Sequence, residues 1–151
     1  MIEIRTEIEI AAPAETVWGE FIRFEAWPEW NPFMPRIEGK AAPGEQLTVR
    51  IEPPGGRAMT FRPKVLTVEH AKEFRWKGKL LLPGIFDGMH CFELHALDAR
   101  LTRFVQREEF TGLLVPLMAG ELNRSTRNGF VLMNEALKQR AESAAANRTS
   151  S

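Results

Sequence analysis

From Leu114 to about Ala141 the residues Leu114, Met118, Leu122, Thr126, Phe130, Met133 and Leu137 recur at spacings of three and four, the pattern of a helix with one apolar stripe. Most of the chain before it alternates with a period of two. A long amphipathic helix after a series of half-buried strands buries its stripe against the sheet they form, which makes the class α+β. Gly112 breaks the last strand, and Pro116 falls in the first helical turn, where its missing N–H costs little. Gly129 lies in mid-helix at a cost of about 1 kcal/mol relative to alanine, so it is expected to permit close approach of the helix to the sheet or to a bound molecule.

The strands are read from their alternation. Ile2, Ile4, Thr6, Ile8 and Ile10 alternate with charged residues, giving a first strand with one buried face. Ala12-Pro13 opens a short helix whose apolar side is Val17, Trp18, Phe21 and Ile22. Six further strands are expected near 36–40, 45–52, 57–70, 73–82, 88–97 and 100–111, punctuated by glycines and by Pro53-Pro54-Gly55-Gly56. Pro63 interrupts the third of these six and predicts a bulge or an edge position. The helix over this antiparallel sheet is expected to leave a space between the two.

Between the first helix and the second strand lies Trp27-Pro28-Glu29-Trp30-Asn31-Pro32-Phe33, three large aromatics in a seven-residue stretch with two prolines. Proline pushes its predecessor toward extended geometry, so the stretch is expected to be a structured loop with Trp27 and Asn31 outside the helical region. Its rings either wall an apolar cavity or plug the end of a core.

A chain of 151 residues with 44% hydrophobic content suffices for one domain with one core. Twenty basic residues balance twenty acidic ones, which argues against a nucleic-acid or anionic-membrane footprint. One cysteine, Cys91, rules out an intrachain disulfide. The first residues show neither the basic region nor the apolar run of a signal peptide, so a cytoplasmic location is expected. Tyrosine is absent, which excludes a phenolic acid or base. No window approaches the roughly twenty apolar residues of a membrane span.

The order of strand, helical insertion, six strands and long helix resembles the helix-grip fold of the START-like or SRPBCC superfamily, and within it the polyketide cyclase/dehydrase-type members. The residues that carry the resemblance are Ala12-Pro13 with Val17-Trp18, the loop Trp30-Asn31-Pro32-Phe33 and the run from Leu82 to Leu94. Arg107 to Leu114 and Gly129-Phe130 with Met133-Asn134 complete it. It covers residues 1 to about 142. It implies a curved seven-stranded antiparallel sheet around the C-terminal helix and a ligand-binding domain over 1–142, and the low-complexity composition that follows predicts a disordered tail over 143–151. The resemblance also implies a deep apolar cavity between sheet and helix, of the kind the superfamily uses for sterols, phospholipids, plant hormones and aromatic polyketides.

Alternation selects the side chains that face such a cavity. His90, Phe92 and Leu94 share one face of their strand, and Phe104, Gln106, Glu108 and Phe110 share one face of the next. A hairpin through Asp98-Ala99 pairs positions summing to about 197, placing His90 near Arg107 and within diagonal reach of Glu108 or Gln106. An inward Glu108 needs a partner, and His90 is the candidate. Such a pair is a catalytic acid/base, an anchor for a ligand, or a satisfied structural contact. The expected ligand-binding residues are Trp27, Trp30, Phe33, Phe61, Trp76, Phe92, Phe104, Phe110, Met118 and Leu122, with His90 and Glu108 as the candidate catalytic pair. No two histidines have the local spacing for a shared metal, and no glycine-rich strand-to-helix junction suggests a dinucleotide, so neither metal nor cofactor is expected. Cys91 falls on the outward face with Glu93 and His95, as a packing thiol beneath a helix. Arg5, Arg50, Arg62, Lys64, Arg75, Lys77 and Lys79 are assigned to a solvated sheet face.

Three functions follow: a carrier or sensor of a lipid-like or polyketide-like molecule, a cyclase or dehydratase using His90 and Glu108, or a protein-interaction module like the superfamily's chaperone activators. The expected partner is a hydrophobic small molecule, with no nucleic acid and no membrane insertion, and the expected assembly is a monomer or homodimer.

Overall fold

The computed structural model describes residues 1–80 and 82–149. Leu81, within the expected strand 73–82, and Ser150-Ser151 of the expected tail lie outside it. Strand β1 (Ile2–Ile10) pairs antiparallel with β8 (Leu101–Thr111) along its whole length, from Ile2 opposite Phe110 to Ile10 opposite Thr102. Beyond β8 come β7 (Phe86–Asp98), β6 (Glu73–Leu80) and β5 (Lys64–Glu69), in the order β1-β8-β7-β6-β5. The alternation of β1 is realised with Ile4 and Ile10 fully buried and the charged residues outward.

The single seven-stranded sheet expected is instead two sheets of five and three strands. The small one contains β2 (Arg36–Glu38), β3 (Thr48–Ile51) and β4 (Met59–Phe61). The stretch read as one strand over 57–70 divides at Arg62-Pro63 into β4 and β5, because proline has no N–H for the ladder. The Pro63 carbonyl instead accepts from the Leu47 N–H at 2.9 Å, and Gln46 bridges to Lys64, tying the sheets together. β5 is an edge strand with a register shift between Val65 and Thr67.

Helix α1 (Ala14–Ile22) starts after Pro13, whose extended backbone (φ −60°, ψ 148°) caps it. A 3-10 turn at Phe24–Ala26 leads into α2 (Trp27–Trp30), so the aromatic stretch is a helical turn where a loop was expected. Pro28 sits in its first turn, where no N–H is needed, and Trp27 is helical (φ −55°, ψ −36°). Asn31 is extended (φ −91°, ψ 104°) and ends the turn, its Oδ1 accepting from the N–H groups of Phe33 at 3.1 Å and Met34 at 2.9 Å.

The C-terminal helical region is α3 (Val115–Glu121), a π-helical turn at Leu122–Thr126 and α4 (Arg127–Thr149). The expected stripe is buried at Leu122, Phe130, Met133 and Leu137, and extends to Ala141. The extra residue of the π turn shifts the phase between α3 and α4, which a reading as one uninterrupted helix does not include. α4 also runs to Thr149, through residues assigned by sequence to a tail from 143. Its Arg140 reaches Glu20 at 3.1 Å, linking it to α1. No described helix is long and apolar enough to cross a membrane.

Candidate functional site

Aromatic rings fill one end of the space between the five-stranded sheet and the helices. Phe21 lies 4.9 Å from Phe92, 5.8 Å from Phe74 and 6.0 Å from Phe104, and Trp76 lies 5.3 Å from Phe92. Trp27, Trp76, Phe92 and Phe104 are fully buried there, and the Trp27 indole N–H donates to the Phe21 carbonyl at 2.7 Å. Trp30 is half-buried, 5.9 Å from Trp27. These five sequence-selected residues form core packing and its edge, and none is on the cavity wall described next.

At the other end a cavity of about 260 Å³ remains open. The large sheet contributes Gly78, Gly88, Glu108 and Phe110, the small sheet Ile51, Met59 and Phe61, and the helical region Met118, Leu122 and Ser125. Phe33, just after α2, closes one side. Of the residues singled out by sequence, Phe33, Phe61, Glu108, Phe110, Met118 and Leu122 therefore line one cavity.

The space exists because two side chains are missing. Gly78 and Gly88 are cross-strand partners, and Phe110 lies opposite Gly88 on β8. A Cβ at Gly78 would come within 3.0 Å of the Phe61 ring, and one at Gly88 within 2.6 Å of Glu108 Oε1. Gly88 and Phe86, which also lines the cavity, escaped the sequence reading although they continue the even-numbered face that carries His90 and Phe92.

His90 lies directly opposite Glu108, not opposite Arg107. The hairpin turns through Ala99-Arg100 with a register shift between Ala96 and Asp98, so paired positions sum to 198 where 197 was expected. His90 Nδ1 is 3.2 Å from Glu108 Oε2. The imidazole is 1% exposed and stacks 4.2 Å from Phe92 at 15°, with Phe130 at 4.9 Å. It stands behind the cavity wall, and Glu108 is the member of the pair that reaches the cavity.

Behind His90 is a buried polar chain. Its Nε2 is 3.0 Å from Gln106 Oε1, Gln106 Nε2 donates to Asn134 Oδ1 at 2.8 Å, and Asn134 Nδ2 donates to Thr6 Oγ1 at 2.9 Å. Asn134 was not selected as a site residue. Its signal is a polar side chain one position after the apolar stripe residue Met133.

On the opposite sheet face, Cys91 is buried among charged side chains, where a covering helix was expected. Its thiol lies 3.5 Å from Glu73 and 3.6 Å from Glu93. Burial, reinforced by Glu73, pushes the thiol up to about 12. Burial opposes ionisation of Glu93, but hydrogen bonds from Arg107 at 2.6 Å and from His95 outweigh it and hold the carboxyl below its ordinary range. Glu73, Cys91 and Glu93 present three ligand atoms within 4.8 Å of one another. Arg75 and Arg107 already pair the carboxylates, and a metal needs a thiolate that this environment disfavours. Of the basic residues assigned to the solvated face, Arg5 pairs with Glu7 at 2.9 Å and Arg50 with Glu52 at 3.0 Å.

The sequence matches, over residues 1–145, the family described as polyketide cyclase / dehydrase and lipid transport. Among solved structures, the Zhui aromatase/cyclase from Streptomyces sp. R1128 aligns with a TM-score of 0.76 at 17% identity, covering 93% of each chain. A START superfamily protein from Mycobacterium smegmatis aligns with a TM-score of 0.75 at 21% identity, covering 94% of this chain and 98% of that one. A Thalictrum norcoclaurine synthase point mutant, in complex with a transition-state analogue, aligns with a TM-score of 0.73 at 16% identity, covering 95% of both. No curated protein sequence matches the chain significantly.

Proposed function

We propose that this chain, which belongs to the polyketide cyclase/dehydrase and lipid transport family, binds a hydrophobic small molecule in the cavity between its sheets and C-terminal helical region, as a carrier or sensor. The observation that carries this reading is a cavity with a largely apolar wall into which Glu108 brings a carboxylate. A greasy wall with few polar groups is the usual composition of a ligand pocket. At about 260 Å³ it falls below the roughly 300–1,000 Å³ typical of drug-sized ligands, which favours one or two rings over a sterol. Each buried ligand group the size of a leucine side chain contributes roughly 1.5–3 kcal/mol before association costs.

A thermal-shift screen against fatty acids, sterols, flavonoids and aromatic polyketides tests the reading, because a ligand selective for the folded state raises Tm. A saturable shift weakened by Met118→Ala supports it. No shift with any class removes it.

The 3.2 Å contact between His90 and Glu108 favours a second reading, a cyclase or dehydratase that uses the pair for proton transfer. This reading predicts that His90→Ala abolishes turnover while binding survives. Equal loss of both would assign the pair to ligand anchoring.

A further inference from the structure

The polar chain behind Glu108 has a direction, set by backbone carbonyls that only accept hydrogen bonds. Thr6 Oγ1 donates to the Gln106 carbonyl at 3.4 Å, so its lone pairs receive Asn134 Nδ2 at 2.9 Å. Asn134 therefore turns Oδ1 toward Gln106, whose Nε2 donates to it at 2.8 Å and points at the Phe130 carbonyl 3.5 Å away. Reversing the Gln106 amide would set oxygen against both of those oxygens. Gln106 Oε1 thus faces His90 Nε2 at 3.0 Å as an acceptor, and Nε2 carries a proton. Gln106, His90 and Asn134 are 0%, 1% and 2% exposed, so solvent does not rearrange the chain.

With Nε2–H fixed, Nδ1 faces Glu108 Oε2. One proton belongs to that contact, held either as Nδ1–H⁺ beside ⁻Oε2 or as Nδ1 beside H–Oε2. The pair is neutral as a whole in both forms, and Oε1 carries no proton in either. Oε1 is the oxygen that a Cβ at cavity-lining Gly88 would meet. We infer that Glu108 Oε1 is a hydrogen-bond acceptor toward the cavity, and that the ligand is an uncharged one- or two-ring molecule bearing a hydroxyl donor, a phenol or alcohol. His90, Gln106 and Asn134 are positioning residues that keep the shared proton on the inner side. The inference rests on the ligand-binding reading and adds a polarity to it: toward the ligand, Glu108 accepts a hydrogen bond and does not donate one. Arg57, Lys79 and Glu121 also border the cavity, but at exposed positions.

Two measurements separate this inference from the reading beneath it. The chain has three histidines, and His70 and His95 are exposed, so His70→Asn with His95→Asn leaves His90 as the one ring to observe. Imidazole ¹⁵N spectra of that variant without ligand are expected to show a protonated Nε2. A bare Nε2 with a protonated Nδ1 would overturn the proton arrangement whether or not anything binds.

The second measurement titrates wild type with naphthalene, 2-naphthol and 2-methoxynaphthalene, which offer no polar group, a donor and an acceptor alone. Binding of 2-naphthol is expected to be about tenfold tighter than naphthalene, with no such gain for the methyl ether. The Glu108→Leu variant is expected to erase the difference while still binding naphthalene. Equal affinities for naphthalene and 2-naphthol in wild type, or a gain for the methyl ether, would overturn the donor assignment. Binding of none of the three would sink the cavity reading and the ligand assignment together, leaving the proton arrangement to the ¹⁵N result.

Discussion

The Phe33 ring packs directly against the backbone of Gly129, with no room for a Cβ between them. Phe33 comes from the segment after α2 and also closes one side of the cavity, so the glycine holds α4 to the aromatic stretch and shapes the site at once. Phe33 and Phe130, the next residue of α4, meet edge-on at 5.8 Å and 68°.

Gly129→Ala is expected to destabilise the fold, because overpacking costs roughly 1–3 kcal/mol and the gain in helix propensity returns about 1 kcal/mol. In a Phe33→Ala background the clash is gone and the same substitution is expected to stabilise by up to about 1 kcal/mol. Urea midpoints of the four proteins check this reversal of sign. Additive effects would show that the two residues are not coupled.

Gly88→Ala drives a methyl into Glu108 Oε1, and the carboxylate must swing away from His90 Nδ1. The backbone there is an ordinary strand that accepts alanine, so the stability loss is expected to be limited to about 1–3 kcal/mol for the disturbed contact. The His90 ring resonances are expected to shift while those of His70 and His95 stay in place. An unshifted His90 would mean that Glu108 does not govern its environment.

Burial, reinforced by Glu73, holds the Cys91 thiol up to about 12 against an ordinary 9.0. A raised thiol means that the folded state holds its proton more tightly than the unfolded state. The associated stability is present in full below pH 9 and is lost as pH rises from 9 toward 12. Urea midpoints between pH 8 and 11 are expected to fall more steeply for wild type than for Cys91→Ala, by at most about 1.4 kcal/mol per pH unit. The chain has no tyrosine to confuse that comparison. Parallel curves would place the thiol in a solvent-like environment.

Much of this was legible in the sequence because period-two and period-3.6 patterns report which face is buried. The inward faces carrying His90, Phe92, Phe104 and Glu108 and the stripe from Leu122 to Leu137 followed from them. What escaped is set by geometry that alternation does not encode. The register of β7 and β8 is moved by a bulge near Ala96, which brings His90 opposite Glu108. The π turn at Leu122–Thr126 adds one residue without breaking the apolar spacing. Trp27, Trp76, Phe92 and Phe104 have the composition expected of a cavity wall, and only packing shows that they fill the core. Gly78 and Gly88 fall within expected strands, and alternation does not reveal that their missing side chains, paired across two strands, leave the cavity open. The division into two sheets turns on Pro63, whose effect was anticipated as a bulge or edge and not as a change of sheet.

Occupancy of the cavity beside Glu108 by a hydrophobic molecule is decided by calorimetric titration of wild type and Met118→Trp with 2-naphthol at two temperatures. Saturable binding to wild type is expected, with a negative heat-capacity change from apolar burial, and binding is lost when the larger side chain fills the space. Equal binding by the two proteins would mean that the molecule sits elsewhere, and would remove the cavity as its site.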